Sequence, residues 1–143
     1  MRMISLILQA LVITVVTVAV LWFYVRATAP TPGACRLTYV YDGDTIAMDC
    51  GQGEVTARLQ GLNAPETRDA QCDTERTAGQ RATDRLRALV KGAEVRIARM
   101  GSEKYGRDLI RLWIDGQDAA AILIREGLAE PYLGGHRRDW CSD

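Results

Sequence analysis

The 143-residue chain has a single histidine, His136, only two lysines, Lys91 and Lys104, and no Cys-x-x-Cys pair. A structural zinc site draws four Cys or His ligands from tight spacings, so these absences argue against one. Neither charge is in excess: 18 basic residues balance 18 acidic ones, and the pI is about 6.6. That excludes a protein that coats nucleic acid by bulk charge, and any polyanion must be held by a few placed cations. There is no internal repeat and no low-complexity tract. With 48% apolar and 25% charged residues, the composition fits a globular chain and argues against disorder. The length suits one domain with an appendage. Sixteen of the eighteen basic residues are Arg. That suits bidentate phosphate contacts, and a coding bias would give the same count.

The longest feature present is an apolar run. Residues 3–25 read MISLILQALVITVVTVAVLWFYV, 23 residues without a charge, and Gln9 is the only strongly polar side chain. About 20 apolar helical residues span a ~30 Å hydrocarbon core, so this segment is long enough to cross a lipid bilayer as a transmembrane helix. Trp22, Phe23 and Tyr24 cluster at its end as an interfacial belt would. Ala27-Thr28-Ala29 offers the pattern of a cleaved signal. A cleavable apolar region is usually ~7–15 residues long, however, and Pro30 would follow the cut. Residues 1–26 are therefore expected to form an anchor, with secretion after signal cleavage as the alternative. Arg2 and Arg26 flank opposite ends, which leaves the orientation open. Residues 27–34, ATAPTPGA, read as a short semi-extended linker, and residues 35–143 as the folded domain.

All four cysteines, Cys35, Cys50, Cys72 and Cys141, follow the apolar run. Cys35 and Cys50 sit symmetrically about Asp42-Gly43, so a hairpin folded there places them opposite each other. Cys72 and Cys141 then pair by elimination. Free buried thiols are the competing reading. Disulfides beside a membrane segment point outside the cytoplasm, to a periplasmic or extracellular domain.

Within the domain, Arg36 to Tyr41 is rich in β-branched and aromatic residues and reads as a strand, with Thr45 to Asp49 as its hairpin partner. Residues 55–60 alternate cleanly: Val55, Ala57 and Leu59 face one side, and Thr56, Arg58 and Gln60 the other. Residues 74–91 have helical spacing, with Ala78, Ala82, Leu86, Leu89 and Val90 on one face. Asp73 or Thr74 can cap this helix and Gly92 can end it. Residues 94–100 and 108–114 read as two more strands. Asp118 can cap a short helix over 119–126. Three strands, a helix, two strands and a helix fit a mainly β fold with helices (α+β): a five-stranded OB-fold barrel with an inserted helix and a C-terminal helix, preceded by one N-terminal transmembrane helix.

Three short segments carry candidate chemistry. Each is unremarkable alone. Tyr41-Asp42-Gly43-Asp44-Thr45 is an acidic hairpin turn. Arg58 to Thr67, RLQGLNAPET, puts an arginine on a polar strand face before a loop ending in Pro-Glu. Lys104-Tyr105-Gly106-Arg107-Asp108 leads into the last long strand. Together they supply two carboxylates, Asp44 and Glu66, and two guanidinium groups, Arg58 and Arg107. Phosphodiester cleavage needs a hard cation held by oxygen ligands. It also needs a carboxylate to orient or deprotonate water, and planar donors for the charge that builds on the phosphate.

With these residues in order, the sequence resembles the staphylococcal nuclease-like (thermonuclease) family. The matching text is VYDGDTI (40–46), ARLQGLNAPET (57–67), EKYGRDL (103–109) and DGQDAAAILIREGLAEPY (115–132). The resemblance implies calcium-dependent cleavage of single-stranded or frayed DNA and RNA to leave 3′-phosphates. It implies that Asp44, Asn63 and the Ala64 carbonyl hold the metal, that Glu66 activates or positions water, and that Arg58 and Arg107 clamp the phosphate. Tyr105, Tyr132 and Lys104 would line the nucleotide pocket. No histidine takes part.

Two departures stand out. Asn63 replaces a carboxylate, and because calcium affinity follows ligand charge, weaker binding or a preference for another divalent ion is expected. The sequence also ends at Asp143, before the family's third helix, and a Cys72–Cys141 bond with Trp140 packed nearby would tie down the short tail. The competing function is a non-catalytic OB-fold module that binds nucleic acid or a partner protein through a degenerate metal site.

Overall fold

The structure, a computed structural model, describes residues 2–28, 34–103 and 106–142. The chain divides into two compact units, Met1–Pro32 and Gly33–Asp143.

The first unit holds helix α1, Arg2–Thr28, of 27 residues. The side chains described on it are those of residues 9 and 11–23, and its large apolar ones, such as Leu11, Val18 and Trp22, are exposed. Among the described residues no helix is long and apolar enough to cross a membrane. Residues 11–23 alone rise only about 20 Å at ~1.5 Å per residue, so the span expected over 3–25 reaches beyond the described side chains.

In the second unit, β1 (Arg36–Val40) and β2 (Thr45–Asp49) form the expected hairpin, and β2 pairs antiparallel with β3 (Glu54–Leu59). A short strand β4 (Gly61–Asn63) follows, then α2 (Asp73–Val90), β5 (Val95–Ser102) and β6 (Asp108–Ile114). The chain closes with β7 (Gln117–Asp118), α3 (Ala119–Arg125) and β8 (Glu130–Tyr132). The main sheet runs β1-β2-β3-β6-β5 with β7 on β6, and β3 and β6 are parallel. The edge strands β1 and β5 meet, so the sheet curls into an OB-like half-barrel. β4 and β8 form a separate antiparallel ladder. Ile46, Met48, Leu62, Leu86, Ile110 and Leu112 anchor the core. Both disulfides, Cys35–Cys50 and Cys72–Cys141, are formed. In the chain-entropy picture a loop of 15 residues is worth about 3 kcal/mol when closed.

Three details depart from expectation. β4, β7 and β8 were not anticipated, because two or three residues carry no period. Val55 is exposed although it shares the face of buried Ala57 and Leu59, since the first half of β3 lies at the rim. Helix α2 is capped by Cys72, whose Sγ accepts from the Glu75 N–H at 3.3 Å, and not by Asp73 or Thr74. Asp118 does cap α3, accepting from the Ala120 N–H at 2.9 Å.

Helix α2 presses directly on the loop after β4. A Cβ at Gly79 would lie 2.4 Å from the Glu66 carbonyl oxygen and 2.8 Å from that of Pro65. Glycine inside a helix normally costs ~0.5–1 kcal/mol relative to alanine, so its presence here reflects that close approach. Gly79→Ala is expected to lower stability by about 1–3 kcal/mol through overpacking, read by urea denaturation. A gain of stability would mean that the loop yields freely.

Candidate active site

The acidic turn between β1 and β2 is locked by its own groups. Tyr41 and Asp42 donate their N–H groups to the Thr45 carbonyl, and Asp42 Oδ1 accepts from the Asp44 N–H at 3.0 Å. Thr45 lies opposite Arg58 in the β2–β3 register. That places the guanidinium against Asp44. Arg58 Nη2 lies 2.6 Å from Asp44 Oδ2, and Nη1 donates to Oδ1 at 3.0 Å. Asp44 also accepts from Thr45 Oγ1 at 2.9 Å and the Ala64 N–H at 3.2 Å. Asp44 is 3% and Arg58 5% exposed. The alternation of 55–60 puts Arg58 on a polar strand face; the side chain is nonetheless buried, because its charge is matched in a bidentate pair.

Burial pushes Asp44 up from 3.8 to about 6, against the opposing pull of Arg58, with Asp42 adding to the rise. The folded value lies above the unfolded one. Ionisation of Asp44 therefore works against the fold: its contribution is most favourable below pH 3.8 and is lost as pH rises through about 6.

Asn63 closes the cluster. It lies opposite Glu130 in the β4–β8 ladder. Its Nδ2 donates to Glu130 Oε1 at 3.2 Å, and its Oδ1 accepts from Arg58 Nη2 at 3.5 Å. Glu130 Oε1 also accepts from the Arg138 N–H at 2.9 Å. The acid on one side and the cation on the other fix the amide with its oxygen toward Arg58.

Glu66 is half-buried at the end of the same loop. The buried Glu75 of α2 holds that loop, its Oε1 accepting from the Glu66 N–H at 3.3 Å and its Oε2 from the Gln71 N–H at 2.8 Å. Burial raises the Glu66 carboxyl above its ordinary value, Asp42 raises it further, and Arg58 and Arg137 oppose the rise. Arg137 Nη1 stands 4.0 Å from Glu66 Oε1.

A cleft of about 650 Å³ opens beside this cluster, lined by Arg58, Gln60, Arg107, Tyr132 and Arg137 among others. Arg107 pairs with Glu103, which holds it firmly charged. Glu66 lines an adjoining hollow with Tyr41, Asp42 and Thr45. Asp44, Arg58, Asn63 and Ala64 thus form one hydrogen-bonded cluster, Arg107 and Tyr132 share the cleft with Arg58, and Glu66 sits next door. Lys104 and Tyr105 lie outside the described residues. Sequence reasoning missed Glu75, Glu130 and Arg137. Glu75 had a signal, as an acid three residues after the helix cap; the other two reach the site through tertiary folding alone.

Asp44, the Asn63 amide and the Ala64 carbonyl offer only oxygen donors, the chemistry a hard cation such as calcium prefers. Among the described residues no three His, Cys, Asp or Glu side chains converge as a metal cage. Three groups, Arg58, Thr45 and the Ala64 N–H, already donate to Asp44, and Arg58, the cationic one, does so through two nitrogens. The donor set therefore fits a cation in kind, one that shares Asp44 with Arg58.

Comparison with known proteins places this geometry. Residues 56–139, more than half of the chain, match the family described as staphylococcal nuclease homologue. The chain belongs to that family. It is 30% identical over 99 residues to an uncharacterized endonuclease of Haemophilus influenzae, covering 68% of this chain and 52% of that protein. It is 31% identical over 98 residues to an uncharacterized endonuclease of Escherichia coli O157:H7, covering 68% and 60%. A thermonuclease of Staphylococcus intermedius is 32% identical over 92 residues, covering 63% and 54%. This family member thus spans about half to three fifths of the length of these curated relatives.

Two measurements test the site. A carbon-detected NMR titration of Asp44 is expected to give a midpoint near 6; a midpoint near 4 would mean that the Arg58 pair outweighs burial. Asn63→Asp would set a second carboxylate against Glu130, at a contact now 3.2 Å long. It is expected to destabilise the domain by about 1–2 kcal/mol, a loss that Glu130→Gln relieves in the double variant. Equal stability of all three proteins would remove the pairing from the account.

Proposed function

We propose that this protein is a calcium-dependent phosphodiesterase, an endonuclease that cleaves single-stranded or frayed DNA and RNA by water attack and leaves 3′-phosphates. The observation that carries the reading is the buried Asp44–Arg58–Asn63 cluster, opening on a cleft that also presents Arg107, with half-buried Glu66 beside it. Family membership and the nuclease names of its relatives support the same reaction class.

In this reading Asp44, Asn63 and the Ala64 carbonyl hold the metal. When bound, calcium supplies Lewis-acid polarisation of the phosphate and neutralises its charge. Arg58 and Arg107 donate to the phosphate oxygens as negative charge builds on them. Glu66, its carboxyl raised by burial, accepts the proton of the attacking water or orients it. The cleft admits a flexible strand, with Tyr132 as a stacking surface. The neutral Asn63 and the capture of Asp44 by Arg58 favour one competitor, a binding module without turnover.

We also infer that α1 anchors the nuclease domain on a membrane, outside the cytoplasm. Support comes from the uncharged run 3–25, the exposed apolar side chains of α1 and the two disulfides.

The test uses the full chain in detergent with single-stranded DNA, calcium or chelator, and a Glu66→Gln control. Cleavage is expected with calcium and absent with chelator, and at least 100-fold slower in the variant. DNA bound but uncut would establish the binding module, and cleavage with only another divalent ion would reassign the metal. Activity that leaves the membrane pellet on alkaline washing would sink the anchor.

A further inference from the structure

The tail after β8 is built into the cleft. Tyr132 Oη donates to the Gly135 carbonyl at 3.2 Å, and the Arg138 N–H donates to Glu130 at 2.9 Å. The Arg138 guanidinium lies 4.7 Å from the centre of the Trp140 ring. Cys141 is then bonded to Cys72, the capping residue of α2. Residues 133–141 thus form a strap fixed at both ends. Between those ends it carries Arg137, whose guanidinium stands 5.6 Å from the centre of the Tyr132 ring and lines the cleft with Arg58 and Arg107.

The three cleft arginines are held very differently. Arg58 is buried in a bidentate pair with Asp44. Arg107 is tied to Glu103. Arg137, beside the Tyr132 ring, has among the described residues one ion-pair approach, to Glu66 at 4.0 Å, and 45% of its side chain is exposed. A pair at that distance and exposure is worth little, so an incoming phosphate exchanges for it at small cost. A guanidinium seated over an aromatic ring is the pairing that single-stranded nucleic acid uses, a donor for the phosphate beside a face for the base.

We propose that Arg137 is a nucleic-acid-binding residue: it holds a backbone phosphate flanking the scissile one, and the Cys72–Cys141 bond delivers it there. The proposal rests on the nuclease reading and extends its site to the segment after β8. The strap supplies one of the few placed cations that a chain of zero net charge requires.

The experiment measures binding of a fluorescent oligothymidylate to the detergent-solubilised full chain, in chelator, over a range of salt. Arg137→Ala is expected to weaken binding about tenfold and to flatten the slope of log K against log salt by about 0.7, the loss of one single-strand phosphate contact. Arg137→Lys should restore the slope. Arg138→Ala, a cation on the Trp140 side, should leave both unchanged. Replacing Cys72 and Cys141 together by Ser should reproduce the Arg137→Ala loss, with no further loss when the two changes are combined. Wild-type affinity in Arg137→Ala overturns the proposal even if the cysteine variant fails to fold. A shifted pH profile of cleavage with unchanged DNA affinity also overturns it, by assigning Arg137 to Glu66. Failure of the wild-type chain to bind the oligonucleotide rejects this site and the nuclease reading together.

Discussion

Asp44 and Arg58 are almost wholly withdrawn from water, and neither could be buried alone. Removing one partner of such a pair typically costs 3–5 kcal/mol, because the other is left as an uncompensated charge. Much of the domain's local architecture serves this pair. The β2–β3 register brings the two side chains together. The Thr45 hydroxyl and the Ala64 N–H donate to the same carboxylate. Asn63 meets the outer edge of the guanidinium, and Glu130 meets Asn63 in turn. A chain of alternating charge and dipole therefore runs from the hairpin turn to the last strand. The neutral amide of Asn63 can donate to the acid on the facing strand, where a second carboxylate would repel it.

The second constraint is the close approach of α2. Gly79 lets the helix lie against the carbonyls of Pro65 and Glu66, while Glu75 takes the N–H groups of Glu66 and Gln71. One helix turn thus holds the loop from both of its polar edges. The carboxylate that this loop presents is positioned by a rigid element, although it belongs to an irregular segment.

The hairpin, the long strands, both helices and both disulfide pairings were legible in the sequence, because each rests on a local period, a turn signal or a count of four cysteines. The acidic turn and the Arg58–Glu66 loop stood out only in combination, through the carboxylates and guanidinium groups that they bring together in order. What stayed hidden was tertiary. Alternation over 55–60 separates two faces and is silent on whether the polar face meets water or a buried acid, so the burial of Arg58 against Asp44 was not legible. Glu130 is 67 residues from Asn63, and β4 and β8 are too short to announce their pairing. Arg137 carried no local signal, because where the Cys72–Cys141 bond returns the tail is set by the fold.

The parallel pairing of β3 with β6 has a kinetic side. Arg58 lies opposite Leu109, so the loop bearing Arg107 reaches the cleft only when two strands separated by about fifty residues, α2 among them, have joined. Pairings of that sequence separation form late, since loop closure precedes their reward. The meeting of Arg107 with the Asp44–Arg58 pair is thus a property of the finished fold. Until β3 and β6 have joined, the chain carries the Asp44–Arg58 pair and the Arg107 loop as separate pieces, and the cleft between them does not yet exist.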